Sequence, residues 1–310
     1  MNEKPPEPVL DVATPEAALG WRFTHDAMAC TFELLLVASD ARYAAQAARA
    51  ATDEIDRLER ELSRFVPTSD IARINSAAPG EFVPVSIETI ECLSVASAVH
   101  AATDGAFDVA FRSPARRGGD AAAREPLLAL DPARHAVAPR RAGVTLDLGG
   151  LGKGYALDRA AAVLREWHIP AALLHSGQST ALAFGQPAGG QLWRVGLRAP
   201  QDATGALATV ELCDAAVSGS GQALHGLHVC DPRTGTPVAG GRAAWSLAPS
   251  AALADALSTA FLVLDEAGVQ AAVAALPDTT AIRWQAHTAG GLVWHGGTPG
   301  ARLIPAAARP

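Results

Sequence analysis

Residues 146–158 read LDLGGLGKGYALD, an apolar run that passes through closely spaced glycines into a helical pattern. This order predicts a strand over residues 143–148, a tight turn, and a helix from about Gly154 to Trp167. Glycines let the backbone approach a ligand closely, and a helix N-terminus offers free N–H groups that suit phosphate. The spacing matches neither the Walker A loop nor the dinucleotide fingerprint. A purely structural turn explains the glycines almost as well.

Lys153 lies within this stretch and is one of only two lysines in the chain, the other being Lys4. All remaining basic residues are arginines. A compact ammonium is favoured where a planar guanidinium does not fit, so Lys153 is a candidate phosphate ligand. Chance survival in an arginine-biased sequence is an equal alternative.

A second motif, HVCDPRTG, covers residues 228–235. Its Asp-Pro and Thr-Gly pairs predict a tight turn, which would hold His228 close to Asp231. Histidine is the side chain best suited to accept a proton near neutral pH, so His228 is a candidate base. A structural turn with an incidental histidine is the alternative.

A third motif, ADALSTA at residues 254–260, places Asp255 and Thr259 one helical turn apart on the same face. Their neighbours are apolar, so this face should be buried, and a buried carboxylate is costly unless it is paired or binds a metal. One carboxylate and one hydroxyl suit Mg²⁺ better than zinc. The alternative is that Asp255 pairs with an arginine and Thr259 bonds back to a helix carbonyl.

The composition excludes several classes of protein. The 310 residues are 49% hydrophobic and 18% charged, with a formal net charge of -7, which is typical of a globular protein. No basic patch indicates a nucleic-acid partner, and the apolar runs are too short for a membrane span. The start shows neither a signal peptide nor a lipid-attachment cysteine, so we expect a cytoplasmic protein; a chain whose signal has been removed would look the same. Four scattered cysteines suggest neither zinc nor disulfides.

The order of predicted elements indicates the fold class. Residues 1–20 are rich in Pro and Glu and are expected to form a flexible lead-in. Helical and strand patterns then alternate without a regular βαβ rhythm, which favours an α+β fold with mixed, largely antiparallel sheets and packed helices. Residues 63–79 and 112–124 are expected to be a turn-rich connection and a mobile loop. Helices are predicted over residues 41–62, 86–103, 250–264 and 267–276, and strands over residues 32–37, 171–175, 192–198, 209–212, 280–285 and 291–294.

Taken together, these motifs resemble the FAD:protein FMN transferases, the ApbE-type flavin transferase family. The resemblance runs from about Phe23 to Leu264, and its strongest parts are the three motifs above. Weaker parts agree in order: AMACTFEL around Met28, LSRFVPTSDIARIN at residues 62–75 and DGAFD at residues 104–108. The resemblance implies one ApbE-like, T-fold-like domain over residues 21–310.

In that family FAD lies extended in a groove and Mg²⁺ bridges its pyrophosphate. FMN is transferred to a Thr or Ser hydroxyl of a target flavoprotein and AMP is released, although some members hydrolyse FAD to FMN and AMP. The resemblance thus implies that the three motifs form a single site. Carried over by motif, the FAD contacts are Met28, Phe65, Ala106, Phe107, Asp108, Asp147, Lys153 and Ser220, the metal ligands are Gly150 through its carbonyl, Asp255 and Thr259, and the catalytic residues are His228 as the base and Lys153.

The chain also departs from the family pattern. Ala29 and Cys30 replace a usual Gly-Thr, and Gln222 stands where an aspartate is usual. Val109-Ala110 replaces a Pro-Thr pair, a later Trp-Gly-Phe segment is missing, and the usual Gly-Gly-Asp reads GQS at residues 177–179. Metal and pyrophosphate elements are retained better than those around the acceptor and the flavin ring. An FMN transferase is therefore the first interpretation, an FAD pyrophosphatase the second and a non-catalytic FAD-binding protein the third.

Overall fold

The computed structural model describes residues 10–13, 20–116, 125–187, 189–198, 206–221, 229–238, 242–285 and 291–306, which contain six α-helices and fifteen strands. The helices are α1 (Ala41–Leu62), α2 (Asp70–Ser76), α3 (Ile87–Ala102), α4 (Gly152–Glu166), α5 (Ala251–Val263) and α6 (Glu266–Ala275). The strands are β1 (Leu10–Ala13), β2 (Gly20–Ala27), β3 (Cys30–Val37), β4 (Val83–Pro84), β5 (Leu128–Asp131), β6 (Ala136–Pro139), β7 (Ala171–Ser176), β8 (Thr180–Phe184), β9 (Trp193–Arg198), β10 (Ala206–Leu212), β11 (Ala215–Gly221), β12 (Arg242–Ala248), β13 (Thr280–Gln285), β14 (Leu292–Gly296) and β15 (Ala301–Pro305).

An eight-stranded sheet of order β14-β13-β12-β11-β8-β7-β3-β2 forms the centre of the fold. A four-stranded sheet, β1-β9-β10-β15, and a three-stranded sheet, β4-β6-β5, accompany it. Every strand pairing within the described residues is antiparallel, so the predicted α+β class is confirmed. Among these residues, no helix combines the length and the apolar character that crossing a bilayer requires.

Successive side chains of a strand point to opposite faces of the sheet. Both faces of the large sheet are covered, so each face contributes to a separate hydrophobic core. Leu174 of β7 and Leu182 of β8 face helices α1, α4 and α5 in one core. Their chain neighbours Leu173 and Ala183 face Trp193 and the rest of the four-stranded sheet in a second core. The helices are therefore confined to one side, where α4 and α5 pack against each other and against the sheet.

Helices α4 and α5 approach so closely that glycine is required at their contact. A Cβ on Gly154 would lie only 2.3 Å from the carbonyl oxygen of Ala251. One turn further along α4, the carboxylate of Asp158 accepts the N–H groups of Ala251 at 2.7 Å and Ala252 at 2.8 Å. Ser250 is the predicted N-cap of α5 and accepts the N–H of Leu253. The two helices are thus held in one register.

The predicted strand over residues 143–148 is wrong, because this segment has no strand partner. Instead, the side chain of Asn75 takes the partner's place. Its Oδ1 accepts the N–H of Leu146 at 2.7 Å, and its Nδ2 donates to the carbonyl of Leu146 at 3.2 Å. Side-chain amides mimic a neighbouring backbone in this way, and the apolar pattern of the segment does not reveal it.

Four further segments that differ from the expectations are β1, α2, residues 114–116 and β2. Leu10–Ala13, within the expected flexible lead-in, forms β1 and pairs with β9, and the expected turn-rich connection contains α2. Residues 114–116 of the expected mobile loop form a short 3-10 turn, fixed because Arg116 is buried against Asp108. Strand β2 was not predicted, although its sequence GWRFTHDA alternates, with Trp21, Phe23, His25 and Ala27 on one face and the polar residues Arg22, Thr24 and Asp26 on the other.

Candidate functional site

A groove of about 820 Å³ opens where the N-terminal end of α4 meets α5 and the ends of β3, β7 and β11. It collects all but two of the site residues that the sequence indicates. Those that line it are Met28, Ala106, Phe107, Asp108, Asp147, Gly150, Lys153, Ser220, Asp255 and Thr259. The structure thus brings segments that are far apart in the chain to a single concave surface.

The other two predicted site residues are Phe65 and His228. Phe65 does not line the groove; its side chain is 78% exposed, with the guanidinium of Arg64 4.1 Å above its ring. Arg64 in turn pairs with Asp147, which places Phe65 at the margin of the groove. His228 lies outside the described residues, although the next residue, Val229, lines the groove.

The N-terminus of α4 carries the positive end of the groove. The helix begins at Gly152, and its N-cap residue Leu151 makes no side-chain capping bond. Lys153 lies in the first turn and its Nζ donates to the carbonyl of Gly149 at 2.8 Å. Two first-turn N–H groups are already engaged, that of Gly152 with the carbonyl of Leu148 and that of Gly154 with Asp255, so the ammonium of Lys153 and the positive end of the helix dipole are what this end offers to a phosphate.

Asp255 is buried opposite this helix end, with an exposed fraction of only 5%. Its Oδ2 accepts the N–H of Gly154 at 3.3 Å and its Oδ1 the hydroxyl of Ser218 at 3.4 Å. Both distances exceed the ~2.7–2.9 Å typical of hydrogen bonds to charged groups. Among the described residues, no Lys, Arg or His nitrogen forms an ion pair with this carboxylate, so the alternative of an arginine partner finds no support there.

These features fit a divalent cation at Asp255. The hydroxyl of Thr259 lies one turn along α5, and a Cβ built on Gly150 would be 3.6 Å from this hydroxyl oxygen. The available donors are therefore oxygens, which Mg²⁺ prefers. In the part of the chain that the structure describes, no three His, Cys, Asp or Glu side chains cluster as metal ligands. Substrate or water oxygens would have to complete the coordination of such an ion.

Asp108 has a second set of contacts that its motif did not indicate. Its Oδ2 lies 2.5 Å from Nε of the buried Arg116, and its Oδ1 accepts the N–H of Ala110 at 2.9 Å. Both oxygens are thus engaged inside the protein, although the residue lines the groove. These bonds hold the loop of residues 106–111 against Arg116, and the loop forms one wall of the site.

The opposite wall contains groups that the sequence analysis missed. Glu33 of β3 and His175 of β7 line the groove, with Nε2 of the histidine 3.1 Å from Oε1 of the glutamate. Met28 and Ala29 form the turn between β2 and β3 with φ angles of 51° and 57°. No sequence motif indicates the Glu33–His175 pair, because its two residues come from strands that are distant in sequence.

Burial raises the pKa of two groups near the site. It raises the pKa of the Cys30 thiol to about 11, against a smaller opposing effect of Lys153. Cys30 lines the groove but remains a thiol at neutral pH, so it is a poor nucleophile. Burial also raises the pKa of Asp158 to about 6, although the N–H groups of Ala252 and Ala251 oppose the shift.

The fold is that of the flavin transferases. The flavin transferase ApbE of Vibrio cholerae superposes with a TM-score of 0.76 at 19% identity, covering 90% of this chain and 97% of the other. The ApbE protein of Thermotoga maritima gives a TM-score of 0.75 at 24% identity, with the same coverage of 90% and 97%.

Sequence comparison shows the family to which the chain belongs. The ApbE family model matches residues 28–283, most of the chain, and the protein therefore belongs to the ApbE family. The FAD:protein FMN transferase of Salmonella typhimurium is 27% identical over 268 residues, 76% of each protein. A second protein of that name, from Klebsiella pneumoniae, is 27% identical over 252 residues, which are 71% of this chain and 72% of the relative.

Proposed function

We propose that this protein is a Mg²⁺-dependent FAD:protein FMN transferase with its catalytic domain in residues 21–310. It transfers FMN from FAD to a Thr or Ser hydroxyl of a target protein and releases AMP. One observation carries the proposal: the buried carboxylate of Asp255, which has no ion-pair partner among the described residues, shares one groove with Lys153 and the N-terminal end of α4. This arrangement suits a pyrophosphate accompanied by a cation.

The cation site consists of Asp255, the hydroxyl of Thr259 and the carbonyl of Gly150. A Mg²⁺ ion held there neutralises negative charge on the pyrophosphate oxygens. Asp255 is the only charged member of this set, so its substitution should remove most of the affinity for the ion.

The chain's own groups bind and orient the reactants. The ammonium of Lys153 binds the phosphates, assisted by the positive end of the α4 dipole. His228 accepts the proton of the acceptor hydroxyl. The hydroxyl oxygen forms a bond to the FMN phosphorus while the bond from that phosphorus to the AMP leaving group breaks. Met28 and Phe107 offer apolar contacts to FAD, and Phe65 closes the margin. The remaining proposed FAD contacts are Ala106, Asp108, Asp147 and Ser220. The proposal is supported by the groove, which every proposed FAD contact except Phe65 lines.

Hydrolysis of FAD is the second candidate function. The elements for phosphate and cation are retained, whereas Gln222 replaces the aspartate that the family pattern carries near the acceptor. Without an acceptor protein, water would take the place of the hydroxyl and the products would be FMN and AMP.

The test incubates the protein with FAD, Mg²⁺ and candidate acceptors that carry a threonine, and measures AMP, free FMN and the acceptor mass. Transfer predicts AMP together with an acceptor heavier by one FMN residue. Free FMN and AMP without acceptor modification would indicate hydrolysis. Intact FAD with every acceptor would overturn both activities in favour of a binding protein.

Two variants with matched controls assign the roles. Asp255→Asn should weaken Mg²⁺-dependent FAD binding, whereas Asp265→Asn, at the exposed start of α6, should not. His228→Ala should abolish transfer but spare FAD binding, and His168→Ala, an exposed histidine beyond the end of α4, should retain both. Full transfer by His228→Ala would remove this residue from the role of the base.

A further inference from the structure

Three buried hydroxyl groups lie side by side on the helix-facing side of the large sheet. The strand register pairs Ser218 of β11 with Ser246 of β12 and with Thr180 of β8. All three side chains are fully buried. A hydroxyl in an apolar core costs free energy unless it is hydrogen-bonded, so the partners of each one show what it does there.

Ser218 contacts the carboxylate that the proposed cation site requires. Its Oγ lies 3.4 Å from Oδ1 of Asp255, 3.3 Å from Oγ of Ser258, 3.1 Å from the carbonyl oxygen of Ser179 and 2.9 Å from Oγ1 of Thr180. A serine has a single proton to donate. The Ser179 carbonyl already accepts the N–H of Gly219 at 2.7 Å, so it is satisfied without Ser218. The Ser258 hydroxyl donates to the backbone carbonyl of Asp255. Either hydroxyl of the Thr180–Ser218 pair can be the donor. With Thr180 donating, the proton of Ser218 goes to Asp255, because a carboxylate is the only charged acceptor among these neighbours and charged acceptors form the stronger hydrogen bonds.

The carboxylate of Asp255 thus has two donors of different kinds. The N–H of Gly154 reaches Oδ2 at 3.3 Å and belongs to the backbone of α4. Ser218 reaches Oδ1 and is the donor that a substitution can remove. With Oδ1 unbonded, the N–H of Gly154 would be the remaining hydrogen-bond donor to this carboxylate among the described residues, and one long bond would oppose rotation about χ2.

We propose that Ser218, oriented by Thr180, is a positioning residue that holds Asp255 in the orientation a divalent cation requires. The proposal rests on the cation site of the proposed function and adds two residues that the family motifs do not contain. Loss of a hydrogen-bonding partner behind a metal ligand typically lowers metal affinity by about 10–100-fold. We expect Ser218→Ala to lower the apparent Mg²⁺ affinity by about 10-fold, the lower end, because the Gly154 N–H remains.

Ser246 provides the matched control. It is as buried as Ser218 and contacts the same helix, but its hydroxyl donates to the backbone carbonyl of Ala254. Ser246→Ala therefore removes one buried hydrogen bond from the same layer without touching the carboxylate. It should lower the urea midpoint about as much as Ser218→Ala does and leave the Mg²⁺ dependence unchanged.

The experiment measures FAD binding by flavin fluorescence over a Mg²⁺ series, for the wild type and both alanine variants, with urea unfolding in the absence of ligand. The expected result is a Mg²⁺ midpoint raised about 10-fold in Ser218→Ala alone. Equal midpoints in Ser218→Ala and Ser246→Ala would overturn the positioning role while the cation site stands. FAD binding by the wild type that ignores Mg²⁺ would instead overturn the cation site itself.

A second variant provides a test that does not depend on the folding of Ser218→Ala. Thr180→Val keeps the side-chain volume and removes the hydroxyl that directs Ser218. Because Ser218 itself remains, the Mg²⁺ midpoint should rise by a smaller factor, about 3-fold. A midpoint equal to that of the wild type would show that Thr180 does not orient Ser218 and would refute the two-residue arrangement.

Discussion

Gly154→Ala tests the contact between α4 and α5 on which the whole site depends. The added Cβ would lie 2.3 Å from the oxygen and 2.7 Å from the carbon of the Ala251 carbonyl, and 2.9 Å from the nitrogen of Ala252. All three are backbone atoms, so no side chain can turn aside. Real Cβ contacts essentially never fall below 3.0 Å, so the helices must separate by at least 3.0 − 2.3 = 0.7 Å.

Two consequences follow from that separation. Overpacking of this kind costs about 1–3 kcal/mol, and we expect about 3 kcal/mol because the Asp158 bonds to Ala251 and Ala252 are strained as well. Lys153 and Asp255 lie on the two helices that move apart. A displacement of about 1 Å between reacting groups lowers activity by up to ~100-fold, so FMN transfer should fall far more than the loss of folded protein explains.

The assay combines urea unfolding with measurements of FAD binding and FMN transfer, and Gly152→Ala is the matched control. A Cβ on Gly152 meets only the Cβ of Leu148, at 3.6 Å, which is an ordinary contact. This variant should be as stable as the wild type or slightly more so. Equal urea midpoints for Gly154→Ala and Gly152→Ala would refute the close approach. A destabilised Gly154→Ala with unchanged FAD affinity would refute the link between helix register and the site.

Three further predictions concern stability. Ala29→Gly should stabilise the protein by about 1 kcal/mol, because the φ of +57° is unfavourable for alanine; urea unfolding measures this. Arg116→Met should cost about 3–5 kcal/mol in the same assay, since it removes the guanidinium that pairs with Oδ2 of the buried Asp108. Asp158 has a folded pKa of about 6 against an ordinary 3.8, so between these values the folded state holds a proton that the unfolded state releases. Its contribution therefore falls by up to about 3 kcal/mol as the pH rises from 4 to 6, and Asp158→Asn should lack this fall.

Each of these predictions has a control and a contrary outcome. Ala45→Gly, in the exposed face of α1, should lose stability, so a loss in Ala29→Gly as well would contradict the strain at that turn. Arg134→Met removes an exposed ion pair and should cost less than about 0.5 kcal/mol; an equally small cost for Arg116 would mean that its pair is not buried. Identical pH profiles for the wild type and Asp158→Asn would show that Asp158 titrates in its ordinary range.

Local patterns predicted the helices well. Helix α1 has the bounds that its periodicity indicates, and Ser250 caps α5 as expected. Pairing partners were not visible in the sequence. The side chain of Asn75 replaces a strand beside Leu146, and β1 joins the four-stranded sheet through β9. Both depend on contacts between residues that are distant in the chain, which periodicity does not record.

The same distinction holds for the candidate site. The burial of Asp255 could be anticipated from its apolar helix face, and the structure places it beside Lys153 and Gly150 in the groove. The pair of Asp108 with Arg116 was not visible, because an arginine in a Gly- and Ala-rich segment looks like a loop residue. Ser218 was missed for a similar reason, since only the strand register brings it to Asp255.

The scarcity of lysine gives the groove a built-in spectroscopic probe. Lys153 is the only lysine among the described residues, and Lys4 is the only other one in the chain. Protein labelled with isotopes at lysine alone would therefore show two side-chain ammonium environments by NMR, one of them located at the N-terminal end of α4, where we propose that the phosphates bind. Its chemical shift would report occupancy of the groove by each nucleotide in turn, without any substitution in the site.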